Sequence, residues 1–270
     1  MVKKLFKYEF FSYARTLLPI NLILIGISIM GRLIQFLEND GIPYRILFNS
    51  TQLAVGIAIT ASLLLTFVIA IVRFYRNLFG AEGYLSFTLP VTPAQHIWVK
   101  LATASLFLVI TVFSILLSLA IMTAGEYLVE IFKAIGYLLK QFFDYLKADT
   151  VFYLLEFLLA LAVSVAYSYL LFYTCIAIGQ RSKKNRILMA GLAYFVFYMI
   201  GQAIATVLII ILAILDSSTE LLYHTLCWIV KNPIPSVHIV FIASIVIYAA
   251  LSVACFCFTH YTVKHKLNLE

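Results

Sequence analysis

The chain has 270 residues, 64% of them hydrophobic and 11% charged, with a formal net charge of +7. A mean hydropathy of +1.04 leaves too little charge to solvate a soluble domain, which is about 25% charged. That argues against soluble enzymes, secreted disulfide scaffolds and nucleic-acid partners, and the basic excess reads first as membrane topology.

From the N-terminus, Phe6, Phe10, Tyr13 and Leu17 share one helical face, with Lys3, Lys4, Lys7 and Arg15 on others. This pattern predicts a helix over 1–18 lying in the cytoplasmic interface and ending at Pro19, where the chain turns into the first span. Uncharged stretches then predict six spans at about 19–38, 50–73, 99–124, 151–179, 187–215 and 237–262. Each approaches or exceeds the ~20 apolar residues a crossing needs. Residues 126–147 carry a stripe with Tyr127, Ile131, Ile135, Leu138 and Phe142, predicting an outer amphipathic helix. Residues 216–236 suit a short interfacial or re-entrant helix, with Pro233 and Pro235 delaying the last span to about Val237. The fold class is thus an all-α membrane protein, a single transmembrane domain over 1–270.

Charge orients the spans. Thirteen of the nineteen basic residues fall at the N-terminus, in the second and fourth connections and in the tail, and nine of the twelve acids fall on the other side. Both termini are therefore expected to be cytoplasmic, in a multi-pass protein of the cell membrane.

Signs of catalysis are missing from the sequence. It has no G-x-x-x-x-G-K-[ST], no H-E-x-x-H and no G-x-S-x-G, so no catalytic residue, metal site or cofactor is assigned. Cys175, Cys227, Cys255 and Cys257 read as small hydrophobes rather than a disulfide framework. Glu156 is the one acid expected inside a span. It either reaches the outer headgroups or pairs with Arg32, or it contacts cargo at a pathway or gate.

The second connection, 73–100, is the most informative. Thr92-Pro93 is a helix start, a hydroxyl cap followed by proline at the first helical position. Residues 82–88 predict a short helix, stopped by Leu89-Pro90, so two helices meet at a bend between spans. Taken in order, Glu82-Gly83-Tyr84-Leu85, Leu89-Pro90-Val91-Thr92 and Lys100-Leu101 resemble the cytoplasmic loop of type-2 ABC export permeases. The six-span layout with a cytoplasmic N-terminal helix is similar over nearly the whole length, although the long outer helix departs from simpler members.

The resemblance implies that this loop carries a coupling helix. Glu82, Gly83, Tyr84, Leu85, Pro90, Thr92 and Pro93 would contact an ABC ATPase subunit, present in two copies. It further implies that ATP and Mg are bound by that ATPase, and that a second permease copy or paralogue completes the path among membrane lipids. Two other readings remain open at this point: a six-span substrate-capture subunit of a vitamin-uptake system, and a non-transporting membrane immunity or interaction protein.

Overall fold

The computed structural model describes residues 2–37, 41–80, 83–84, 90–123, 129–130, 133–137, 140–141, 143, 149–182, 185–219 and 221–265. Among them the elements are α1 (Val2–Gln35), α2 (Ile42–Phe79), α3 (Pro93–Met122), α4 (Thr150–Gly179), α5 (Arg186–Thr219), α6 (Leu221–Lys231) and α7 (Pro233–His265). No strand occurs among the described residues. All but the 11-residue α6 are long and apolar enough to cross a membrane. The protein is an all-α, multi-pass membrane protein. It divides into two compact units, residues 1–144 and 145–270.

In the first unit, α1 and α3 run parallel, and their contacts advance together along both helices. Tyr13 stacks on Phe107 with centroids 5.5 Å apart, Asn21 Nδ2 donates to Thr111 Oγ1 at 3.3 Å, and the Ser28 and Ser118 hydroxyls are bonded. Buried positions of α1 include Tyr13, Leu17, Asn21, Leu24, Ser28 and Gly31, steps of three and four that keep one narrow seam facing a neighbour. The seam is rich in small and hydroxylated residues. Lipid tails are as apolar as leucine, so helices in a bilayer associate through close packing and interhelical hydrogen bonds. Thr66 of α2 joins at 3.0 Å from Thr111 Oγ1, tying three helices together. The hydroxyls are further satisfied by backbone carbonyls one turn back, Thr66 to Ser62 and Ser28 to Leu24.

One expectation about the N-terminus is corrected. The helix does not stop at Pro19: α1 is continuous for 34 residues with Pro19 inside it. The aromatic stripe packs on α3, with Tyr13 and Leu17 fully buried and Phe10 and Tyr13 meeting Phe107. Proline removes one backbone donor, and the packing of this face on α3 outweighs that local loss.

The second unit is also built on a parallel pair, α4 with α7. Phe157 meets Phe241 with centroids 6.3 Å apart, Tyr167 meets Tyr248 at 5.5 Å, and Thr174 Oγ1 lies 3.1 Å from Thr259 Oγ1. Helices α4 and α5 form a tight hairpin at Gly179. A Cβ there would fall 2.5 Å from the Arg186 carbonyl oxygen and 2.8 Å from the Ala190 Cβ, so only glycine permits the approach.

The last span starts earlier than Pro233 and Pro235 suggest, since α7 begins at Pro233. Both prolines lie in its first turn, where a backbone N–H has no helical partner to lose. Asn232 precedes them, its carbonyl accepting from the Ser236 N–H at 3.2 Å. Of the predicted outer helix 126–147, residues 129–130, 133–137, 140–141 and 143 are described; they are helical and exposed.

Candidate functional site

The connection between α2 and α3 stands on a polar base contributed by all three helices of the first unit. Lys100, two turns into α3, places Nζ 2.5 Å from Glu9 Oε1 of α1, and their side chains are 3% and 10% exposed. Asn77 Nδ2, in the last turn of α2, donates to the same carboxylate oxygen at 3.2 Å. One turn earlier, Arg73 donates to Ser12 Oγ and lies over the Tyr13 ring, 4.6 Å from its centroid.

A buried ion pair requires additional hydrogen bonds to offset desolvation, and Asn77 supplies one. Glu9 sits in the charged first turns of α1, ahead of the uncharged stretch that opens at Thr16. Burial pushes its carboxyl up, but Lys100, Arg73 and Asn77 outweigh that and hold it below the ordinary carboxylate range.

The connection leaves this base at Gly80, whose N–H bonds the Tyr75 and Arg76 carbonyls at 3.2 Å, while the Gly83 N–H donates to the Gly80 carbonyl at 2.8 Å. Gly83 is buried and helical beside an exposed Tyr84. Glu82, Leu85 and the rest of the predicted 82–88 helix lie outside the described residues.

On the return, Pro90 is exposed at a bend, Thr92 caps α3 and Pro93 opens it. The Gln95 N–H donates to Thr92 Oγ1 at 3.4 Å, and the Thr92 N–H to Gln95 Oε1 at 3.1 Å. This reciprocal box satisfies two donors that a helix start otherwise leaves open. The sequence pointed to Thr92 and Lys100 but missed Glu9. Its signal was present: Glu9 stands one turn before Tyr13 and two before Leu17, an acid on the buried face.

Glu156 is placed elsewhere, on α4 in the second unit. Its partner there is His238 of α7, with Nδ1 at 2.8 and 2.9 Å from the two carboxylate oxygens. Arg32, in the first unit, donates to Gln35 Oε1 at 2.6 Å and lies over Phe36. Tyr153 stacks on the His238 ring, centroids 4.0 Å apart, and its hydroxyl donates to the Ile234 carbonyl. The arrangement fixes the imidazole from one face and one edge. Glu156 and His238 are each about one-fifth exposed.

No group of three or more His, Cys, Asp or Glu residues with metal-holding geometry occurs among the described residues. The four cysteines are unpaired; Cys175 is buried and Cys257 exposed. Comparison of the chain with family models, curated proteins and solved structures finds no match in any of the three.

Proposed function

We propose that the chain is the membrane-spanning permease subunit of an ABC exporter, working with a second permease and driven by a separate ATPase. The observation that carries this reading is the build of the 73–100 connection. Tyr84 and Pro90, both exposed, are held between two helices whose ends are locked to α1 through Glu9, Lys100 and Asn77. A flexible connector would absorb a push, whereas a connector on this base transmits it to α1, α2 and α3 together.

In this reading the loop faces the cytoplasm, as the concentration of basic residues around it favours. ATP and Mg act in the partner subunit. Closure of two ATPase copies presses on Glu82, Gly83, Tyr84, Leu85, Pro90, Thr92 and Pro93, and the three helices shift as one body to alternate access. Glu156, bonded to His238, ties α4 to α7 and gives the second unit a similar rigidity.

Coexpression with a candidate ABC ATPase from the same genome tests the proposal. The wild-type chain should retain that ATPase through purification, and a chain with residues 82–92 replaced by a Gly/Ser linker of equal length should lose it. Retention by the linker variant contradicts the coupling assignment.

A further inference from the structure

Two buried atoms of the polar base remain to be matched, and they are complementary. Nη1 of Arg73 on α2 and Oε2 of Glu9 on α1 are both buried, and neither has a hydrogen-bond partner among the described residues. The neighbouring atom of each side chain is engaged: Arg73 donates from Nη2 to Ser12, while Glu9 Oε1 accepts from Lys100 and Asn77. The guanidinium stands near enough to Glu9 to favour its ionised form, yet no direct hydrogen bond joins Nη1 to Oε2. A buried donor and a buried carboxylate oxygen left open are both costly unless something satisfies them. Beside them, between α1 and α2, is a half-open cavity of about 300 Å³, with Arg73, Asn77 and Thr16 among its lining residues. One water occupies only ~30 Å³.

We infer that an ordered water, supplied from this cavity, bridges Arg73 Nη1 and Glu9 Oε2 and adds a link between α1 and α2. Charge decides what fits. A bound cation would satisfy the carboxylate oxygen but stand beside Arg73 and Lys100. An anion would satisfy the guanidinium but stand beside Glu9. A small neutral molecule that accepts one hydrogen bond and donates another satisfies both atoms, and water does so with no bulk to spare. A water-mediated hydrogen bond is nearly as favourable as a direct one, so the bridge completes the base without requiring Arg73 to release Ser12. It holds with or without an ATPase on the connection above.

Hydroxyl-radical footprinting of the purified full chain in detergent tests the bridge. An X-ray pulse makes radicals from bound water as well as bulk water, and these oxidise adjacent side chains even when buried. Tyr13 and Leu24 are both 1% exposed on α1, and the Tyr13 ring centroid lies 4.6 Å from the Arg73 guanidinium carbon. After correction for intrinsic reactivity, Tyr13 should be oxidised several-fold faster than Leu24 under X-rays. Radicals made chemically in the bulk should leave both residues protected. An experimental density map that shows ordered waters should place one about 3 Å from both Arg73 Nη1 and Glu9 Oε2. Equal protection of Tyr13 and Leu24 under X-rays overturns the bridge, as does oxidation of Tyr13 by bulk radicals at the X-ray rate. Density for a direct bond between Nη1 and Oε2, or for an ion between them, overturns it as well.

Discussion

At the scale of single residues, the Glu9–Lys100 pair decides how firmly the base is held. Lys100→Met leaves a buried carboxylate without its ammonium, a change that costs about 3–5 kcal/mol in comparable settings. The prediction is a marked fall in melting temperature in detergent, largely recovered when Glu9→Leu is added. An unchanged melting temperature in the single variant would show the pair to be incidental. The same carboxyl carries a pH signature. Its folded value lies below the ordinary 4.5, so the stability it contributes is complete above that pH. It is lost as the pH falls through the lower folded value. Wild type should therefore lose melting temperature more steeply than Glu9→Gln on acidification below pH 4.5.

Glycines give a second residue-level contrast. Gly179→Ala drives a Cβ into the Arg186 backbone carbonyl, whereas at Gly31 the nearest atom is the flexible Met122 thioether, Sδ at 2.8 Å. Gly179→Ala should destabilise by about 1–3 kcal/mol and Gly31→Ala by clearly less, as judged by melting of the two variants side by side.

At the scale of elements, α1 is the instructive case. Pro19 and the preceding charges looked like an interface helix with a turn after it, because local chemistry at a proline favours a break. The burial of Tyr13 and Leu17 against α3 is a non-local fact that a periodic stripe cannot specify: the stripe says that a face is covered, not by what. Since Pro19 sits inside a continuous helix, Pro19→Ala restores a donor to the Arg15 carbonyl and should raise the melting temperature. A lower melting temperature would mean that a break at Pro19 is needed.

Helix spans were legible because twenty apolar residues in a row have few other uses. Their pairing was not, since lipid-facing and buried surfaces are equally apolar and only the polar exceptions mark the seam. Asn21, Ser28, Thr66, Thr111 and Ser118 are those exceptions, and each proves to be at a helix contact. Glu156 stood out by the same logic. Its partner His238 did not, because the two lie 82 residues apart and only the parallel register of α4 and α7 brings them together.

For the whole molecule, the two units share a plan in which the first and third spanning helices pair in parallel. In the first unit this pairing does more than fill space. It sets Glu9 of α1 against Lys100 of α3, and so anchors both ends of the one connection that the sequence singled out. Capping by Thr92 was readable from Thr-Pro alone, while the ion-paired base beneath it emerged only when three helices were assembled.

The central claim, that this connection receives an ATPase, is tested most directly by cross-linking from its exposed tip. Tyr84→Cys, placed in a variant lacking the four native cysteines and coexpressed with the candidate ATPase in intact membranes, should form a covalent adduct with that ATPase through a short bifunctional reagent. It should also resist membrane-impermeant thiol reagents added outside the cell. No ATPase adduct, together with labelling of position 84 from outside, would contradict both the coupling role and the orientation on which it rests.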